Sequence, residues 1–265
     1  MKTILITGST DGIGKLAATK LAQDGHHLYL HGRNANKLEE TIKEIKQLSH
    51  NNHIKGFLGD LSDLADTRRM AHQIKQELDT LDVLINNAGV YKSPTTQNQA
   101  GLDLRFVVNY FAPVLLTHEL LPLLEKGKNP RIINLSSAAQ GAIDYDMLKG
   151  KTQGDQGDTY AQSKLALTMW SFDLAKTLKD ITVIPVNPGS LLNTRMVKEA
   201  FGRFWSPADK GGDILYDLAV SKKYEGITGQ YFDNDQGDFG TAHPDAYDED
   251  KIQQLLEVTN EIVTG

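Results

Sequence analysis

Tyr160 and Lys164 stand four residues apart in Tyr160-Ala161-Gln162-Ser163-Lys164. On a helix that spacing puts a phenol and an ammonium one turn apart on a single face. A free tyrosine titrates near pH ~10 and moves protons poorly at neutrality. A fixed positive neighbour favours the phenolate and draws the group toward the working range. The pair is therefore a candidate proton-transfer device, although Tyr and Lys at this spacing also recur by chance.

The run from Tyr160 to Leu178 is apolar enough for a buried helix, with Leu165, Leu167, Met169, Phe172 and Leu174 along it. Other elements must bring it partners. Thr3 to Thr7 reads as a short strand that ends in Gly8-Ser9-Thr10-Asp11-Gly12-Ile13-Gly14, and Lys15 to Gln23 reads as a helix. Strand, glycine turn and helix in that order suit a dinucleotide phosphate: glycines allow close backbone approach, and the helix N-terminus faces the anion. Its spacing is Gly-x3-Gly-x-Gly.

His27 to His31 is the second predicted strand. A carboxylate commonly ends this strand in NAD sites, but Gly32 holds the place here and Arg33-Asn34 follow. A guanidinium can clamp a 2′-phosphate, so NADP is favoured over NAD. Asp11, an anion in the turn, weighs against that choice.

Lys37 to Leu48 reads as a charged surface helix, and His53 to Leu58 as a strand leading to Asp60-Leu61. Asp60 could accept from an adenine amino group or simply shape a turn. After a helix from Leu64 to Leu78, the buried strand Leu81 to Ile85 leads into Asn86-Asn87-Ala88-Gly89. A long apolar helix, Leu102 to Leu124, contains Asn109, and Pro113 is expected to bend it. Arg131 to Leu135 is a strand closed by Ser136-Ser137. The segment from Gly141 to Thr159 is polar and glycine-rich and is expected to be a surface insertion. Ile181 to Val186 is a further buried strand, followed by Asn187-Pro188-Gly189-Ser190. Leu191 to Trp205 (with Met196, Val197, Phe201 and Phe204) could be core or an apolar lid. A helix to Ala219, a short strand from Gly229 to Phe232 and a closing helix from Lys251 to Val263 complete the chain. Asp233 to Asp238 lacks the ligand order of a calcium loop.

The 265 residues are 40% hydrophobic and 23% charged with net charge -6, as in a soluble globular protein, and there are no cysteines. The acidic balance argues against nucleic acid or an anionic membrane as an obligatory partner. The eight histidines are scattered and imply no metal site. The opening Met1-Lys2-Thr3 has too short an apolar run for a signal peptide, and no stretch is expected to span a membrane. A cytoplasmic setting is the simplest expectation. No repeat or linker divides residues 1–265, which read as one unit.

Together the landmarks resemble the short-chain dehydrogenase/reductase family. The likeness rests on Thr7-Gly8-x3-Gly12-x-Gly14, Asp60-Leu61, Asn86-Asn87-Ala88-Gly89, Asn109, Ser137, Tyr160-x3-Lys164, Pro188-Gly189 and Thr194, in family order. Gly229-Gln230-Tyr231-Phe232, the tail from Pro244 to Val263 and the insertion before Tyr160 are similar to a retinol-dehydrogenase-like branch. The resemblance implies an α/β doubly wound (Rossmann) fold, a seven-stranded parallel sheet with helices on both faces.

It also implies roles: Tyr160 as general acid/base, Lys164 lowering its pKa and bonding the nicotinamide ribose, Ser137 polarising the substrate carbonyl, and Asn109 holding a water on the proton path. The turn Gly8, Ser9, Thr10, Asp11, Gly12, Ile13 and Gly14 would contact the dinucleotide. Arg33 and Asn34 would meet its 2′-phosphate side, Asp60 and Leu61 the adenine, and Asn87, Ala88 and Gly89 the adenosine ribose. Pro188 and Gly189 would border the nicotinamide, and Thr194 would bond its carboxamide. The expected activity is NADP(H)-dependent interconversion of an alcohol and its carbonyl on an apolar small molecule, in a homodimer or homotetramer. Two other readings stay open. One is a carrier-protein-linked 3-oxoacyl reductase, with Arg195, Lys198 and Arg203 as a docking patch. The other is a dinucleotide-binding sensor without turnover.

Overall fold

The computed structural model describes residues 1–264, with the side chain of Phe201 outside that description. In chain order the elements are β1 (Thr3–Ile6), α1 (Gly12–Gln23), β2 (His27–Gly32), α2 (Ala35–Ser49), β3 (Ile54–Leu58), α3 (Leu64–Glu77) and β4 (Val83–Asn86). Next come α4 (Leu104–Phe106), a π-helical turn (Val107–Phe111), α5 (Ala112–Leu124), β5 (Arg131–Leu135), α6 (Tyr145–Leu148) and α7 (Gln156–Thr177). The last are β6 (Thr182–Asn187), α8 (Arg195–Phe201), α9 (Ala208–Val220), β7 (Tyr231–Asp233), β8 (Asp238–Gly240) and α10 (Glu249–Thr264).

The strands form one sheet in the order β3-β2-β1-β4-β5-β6-β7-β8. The first seven run parallel, and β8 pairs antiparallel with β7. The expected seven-stranded parallel sheet is therefore extended by one strand. Asp233 to Asp238 is the tight connection of this hairpin, with Gly237 at φ 77° where only glycine sits without strain. Central strands such as β1, with Ile4, Leu5 and Ile6 all buried, match their apolar runs. Two apolar layers cover the sheet. One packs α3, α5, α7 and α10 over it; the other packs α1, α2 and α9.

Chain order reverses between β1 and β4, which lie side by side with Ile6 opposite Ile85. In open parallel sheets a ligand crevice forms at the carboxyl ends of strands at such a switch. The glycine turn and Asn87 lie at that edge.

Three expectations need correction. The irregularity in the long apolar helix is a π turn beginning before Pro113. Pro113 has no N–H to give the carbonyl of Asn109, and the Ala112 N–H reaches back to Val107 instead. The segment from Gly141 to Thr159 is not wholly superficial, because Leu148 of α6 is fully buried and Ile143, Tyr145 and Met147 pack against the same core. Its sequence masked this because only a few apolar residues are spread among glycines and acids. Finally, Leu104–Leu124 is long and apolar enough to cross a membrane by length and composition, with 72% of its window buried inside the fold. Arg105 and Asn109 interrupt the run to the eye without lowering its mean hydropathy enough.

Candidate active site

Helix α7 begins at Gln156, capped by the Asp155 carboxylate, which accepts from the amides of Gly157 and Asp158. Tyr160 therefore sits inside the helix, in its second turn, rather than opening it. Lys164 lies one turn on, 4% exposed, with its Nζ 5.5 Å from the Tyr160 ring centroid. Ser137, just past the end of β5, approaches Tyr160 closely enough for its hydroxyl to favour ionisation of the phenol. The Ser137 carbonyl is held by the Tyr231 hydroxyl at 3.0 Å and the Gln140 amide at 2.9 Å. The serine is thus positioned by the late strand β7 as well as by its own.

Asn109 is buried in the π turn, which brings its amide to two other elements. Its Oδ1 accepts from the Val90 amide at 2.8 Å, and its Nδ2 donates to the Val90 carbonyl and to Ser163 Oγ, both at 3.0 Å. Ser163 Oγ in turn donates to the Tyr160 carbonyl at 2.7 Å. Asn109 thus staples the segment after β4 to the helix carrying Tyr160. A Cβ on Gly89 would meet Asn109 Oδ1 at 3.4 Å, Lys164 Nζ at 3.7 Å and Met196 Cε at 3.7 Å. Four separated parts of the chain converge at Gly89.

Charge behaves differently from the expectation that Lys164 lowers the Tyr160 pKa. Burial pushes the phenol up, and the nearby Ser137 hydroxyl only partly opposes that. Lys164 is itself brought down to about 7 by burial. Its Nζ donates to the Leu135 carbonyl at 2.6 Å instead of the phenol oxygen. A poorly solvated pocket disfavours phenolate and ammonium alike. Placing a cation beside the phenol on a helix face was legible in the spacing; the desolvation of both was not.

The glycine turn is packed as its composition requires. Gly8 has φ 63°, and a Cβ there would come within 2.8 Å of Ala88 Cα. A Cβ on Gly14 would strike the Asn87 amide and lie 2.7 Å from the Gly8 carbonyl. Asn87 donates from Nδ2 to the carbonyls of Thr7 (2.7 Å) and Gly8 (3.0 Å), joining the ends of β1 and β4. Its Oδ1 is buried and has no hydrogen-bond partner among the described residues. Asp11 caps α1, accepting from the Gly12 amide at 2.8 Å. Helix α1 therefore points its N-terminus at the turn, where the residues fit a dinucleotide phosphate.

Asp11 also pairs with Lys37 Nζ at 2.7 Å, and this bond leads the effects holding its carboxyl below the usual range. Lys37, read from sequence as mere helix solvation, offsets the anion that weighs against NADP. Arg33 is exposed just past β2. Asn34 is committed to capping α2, accepting from the Lys37 amide at 2.9 Å. A Cβ on Gly32 would meet the Thr10 methyl group at 2.6 Å, so no side chain fits there without displacing Thr10. Ser9 is buried beneath the turn, its amide donating to the His31 carbonyl at 3.0 Å. Ile13 packs with the α1 layer. Asp60 is engaged in a turn, accepting from the Ser62 amide at 2.9 Å and hydroxyl at 2.8 Å, while Leu61 is buried.

At the other end Gly189 adopts φ 121°. Asn187 holds the loop, accepting from the Gly189 amide at 3.1 Å and donating to Asp233 at 2.8 Å and Asp235 at 3.0 Å. Asp235 also accepts from the Ser190 amide at 2.8 Å, and Asn234 donates to the Pro188 carbonyl at 2.9 Å. The β7–β8 turn is therefore a clamp on Pro188-Gly189, which sequence reasoning missed because no local signal links residues so far apart. Thr194 caps α8 and lies 3.8 Å from the Cβ position of Gly12. Of the apolar stretch beyond, Leu192 is core at 3% exposure, whereas Phe204 (47%) and Trp205 (66%) face outward.

Residues 2–203 match the short chain dehydrogenase family. The chain belongs to the short-chain dehydrogenase family. It is 33% identical to retinol dehydrogenase 13 of Mus musculus over 96% of this chain and 81% of that one. It is 30% identical to polyprenol dehydrogenase of Homo sapiens, over 89% and 77% of the two chains. Among solved structures, a short chain dehydrogenase of Shigella flexneri complexed with NADP superposes with a TM-score of 0.72 at 28% identity, covering 88% of this chain and 97% of that one. The protein is accordingly an oxidoreductase of retinol-dehydrogenase-like type.

Proposed function

We propose that the protein is an NADP(H)-dependent oxidoreductase that interconverts an apolar alcohol and its carbonyl. The observation that carries this is the convergence of Ser137, Tyr160 and Lys164 from β5 and α7 beside Gly89, at the carboxyl edge of the sheet next to the glycine turn. A bound nicotinamide supplies or accepts the hydride at the substrate carbon. In reduction, the Tyr160 hydroxyl gives its proton to the substrate oxygen as the carbon takes hydride, and Ser137 donates a hydrogen bond to the developing oxyanion. Lys164, when protonated, stabilises the phenolate left behind. Oxidation reverses each transfer. Asn109 keeps this array in register through Ser163 and Val90.

Gly8, Gly12 and Gly14 with the α1 N-terminus would hold the pyrophosphate, and Arg33 the 2′-phosphate. The Asp11–Lys37 pair supports NADP because it neutralises the anion of the glycine turn. The names of the relatives, retinol and polyprenol dehydrogenases, and the apolar segment around Met196 support an isoprenoid-like or similarly hydrophobic substrate. A sensor without turnover has no need of the assembled Ser-Tyr-Lys array.

The test is a panel of apolar alcohols and aldehydes assayed with NADP(H) and NAD(H), alongside Tyr160→Phe. We expect turnover on at least one pair, and a fall of about 10²–10⁴ in the variant with dinucleotide affinity within a few-fold of wild type. Undiminished turnover in the variant refutes the assigned chemistry.

A further inference from the structure

His31 is a titratable side chain, 3% exposed, that the hydride chemistry does not use. It ends the apolar part of β2 directly beneath the glycine turn. Its Nδ1 accepts from the Gly8 amide at 3.0 Å, and its Nε2 lies 3.0 Å from the Gly59 carbonyl. Its main chain is tied to the same turn: its amide donates to Ser9 Oγ at 2.9 Å, and its carbonyl accepts from the Ser9 amide at 3.0 Å. One residue thus joins the turn after β1 to the end of β3, across the strand between them.

These partners dictate a tautomer. The Gly8 amide can only donate, so Nδ1 must be bare; the Gly59 carbonyl can only accept, so the proton sits on Nε2. Protonating Nδ1 would set two donors face to face in a buried site and remove the only role the ring plays toward Gly8. The charged groups facing the ring come from the segment after β3 and from α3. They are Asp60 and Asp66, the latter bonded to the Asp60 amide at 2.7 Å and paired with Arg69. The turn after β1 offers backbone and the Ser9 hydroxyl.

We infer that His31 is a positioning residue for the dinucleotide, acting as a neutral strut that fixes Gly8 and weakens cofactor binding when acid protonates it. This rests on the reading of the glycine turn as the dinucleotide site. Burial holds the imidazole below its ordinary range, against the upward pull of Gly59, Asp60 and Asp66. The strut is therefore intact above about pH 6.5 and fails only as pH falls through the lowered value. Because the folded form resists protonation, fold stability falls in the same direction.

The informative variant is His31→Asn, whose Oδ1 can take the place of Nδ1 but does not titrate. We would measure NADP⁺ and NAD⁺ affinity calorimetrically from pH 8 down to the lowest pH at which melts show the protein folded, since NAD⁺ has no 2′-phosphate titrating in that span. Wild type should lose at least tenfold of its NAD⁺ affinity on the acid side, and His31→Asn no more than about half of that loss on a logarithmic scale. Thermal melts at pH 8 confirm that the variant folds, and His31→Gln is the substitute if it does not. Imidazole ¹⁵N resonances of the wild type should report Nε2–H at pH 8, and the Gly8 amide should shift with the ring's own titration.

Wild type that binds but shows the same acid profile as His31→Asn overturns this inference alone. So does a ring protonated on Nδ1 at pH 8. Wild type that binds neither nucleotide at any pH overturns the dinucleotide reading together with it.

Discussion

Lys164→Met should stabilise the fold at pH 6 while removing activity. The ammonium is enclosed by the core that supports α7, and its pKa falls from 10.5 to about 7 through burial. At ~1.4 kcal/mol per pH unit, that fall corresponds to about 5 kcal/mol of penalty on the charged form, as a ceiling. Methionine keeps most of the stem and its packing. Against the gain stands the bond from Nζ to the Leu135 carbonyl at 2.6 Å. Leaving a buried carbonyl without that donor costs about 1–3 kcal/mol. The net expectation at pH 6 is a gain of about 2–4 kcal/mol by these two figures.

The sign changes with pH. Below about 7 both folded and unfolded chains hold the proton, and the full penalty applies. Between about 7 and 10.5 the unfolded chain holds more protons than the folded one, so wild-type stability rises with pH. Near pH 10, half a unit below the unfolded value, about 0.8 kcal/mol of the penalty is left, and against the lost hydrogen bond of about 1–3 kcal/mol Lys164→Met should be the less stable protein by up to about 2 kcal/mol. Urea melts at pH 6 and pH 10 read this directly through the midpoint, provided the slopes agree. Turnover at pH 6 should fall by about 10² or more, because the phenolate left by proton transfer loses its cation. A variant destabilised equally at both pH values would refute the buried-ammonium account, and full activity would refute its catalytic part.

Arg33→Ala should raise KM for NADPH by about 1–3 kcal/mol equivalent and leave NADH nearly unchanged. Equal effects on both cofactors, read from steady-state kinetics, would remove Arg33 from the 2′-phosphate site. Gly14→Ala should destabilise by about 1–3 kcal/mol through overpacking, since its Cβ would press on Asn87 and the Gly8 carbonyl; a wild-type urea midpoint would contradict the packing shown. Asp235→Ala should loosen the Pro188–Ser190 loop by removing acceptors for Ser190 and Asn187. We expect its KM for the nicotinamide cofactor to rise several-fold with a smaller change in melting temperature, and an unchanged KM would deny the clamp.

Local chemistry wrote much of this protein into its sequence. The turn from Gly8 to Gly14 is legible because only glycine tolerates φ 63° at Gly8 beside the Ala88 backbone. Tyr160 and Lys164 are legible because helix geometry alone puts them on one face. The buried strands are legible because a parallel sheet covered on both sides demands unbroken apolar runs. What only the tertiary structure decided are contacts between residues with no shared period. They include the pairing of Lys37 with Asp11, the strut from His31 to Gly8, and the clamp of Asp235 on Ser190. The protonation balance of the site belongs there too. Spacing can set a cation beside a phenol, but desolvation is a property of everything packed around the pair, and here it raises Tyr160 and lowers Lys164.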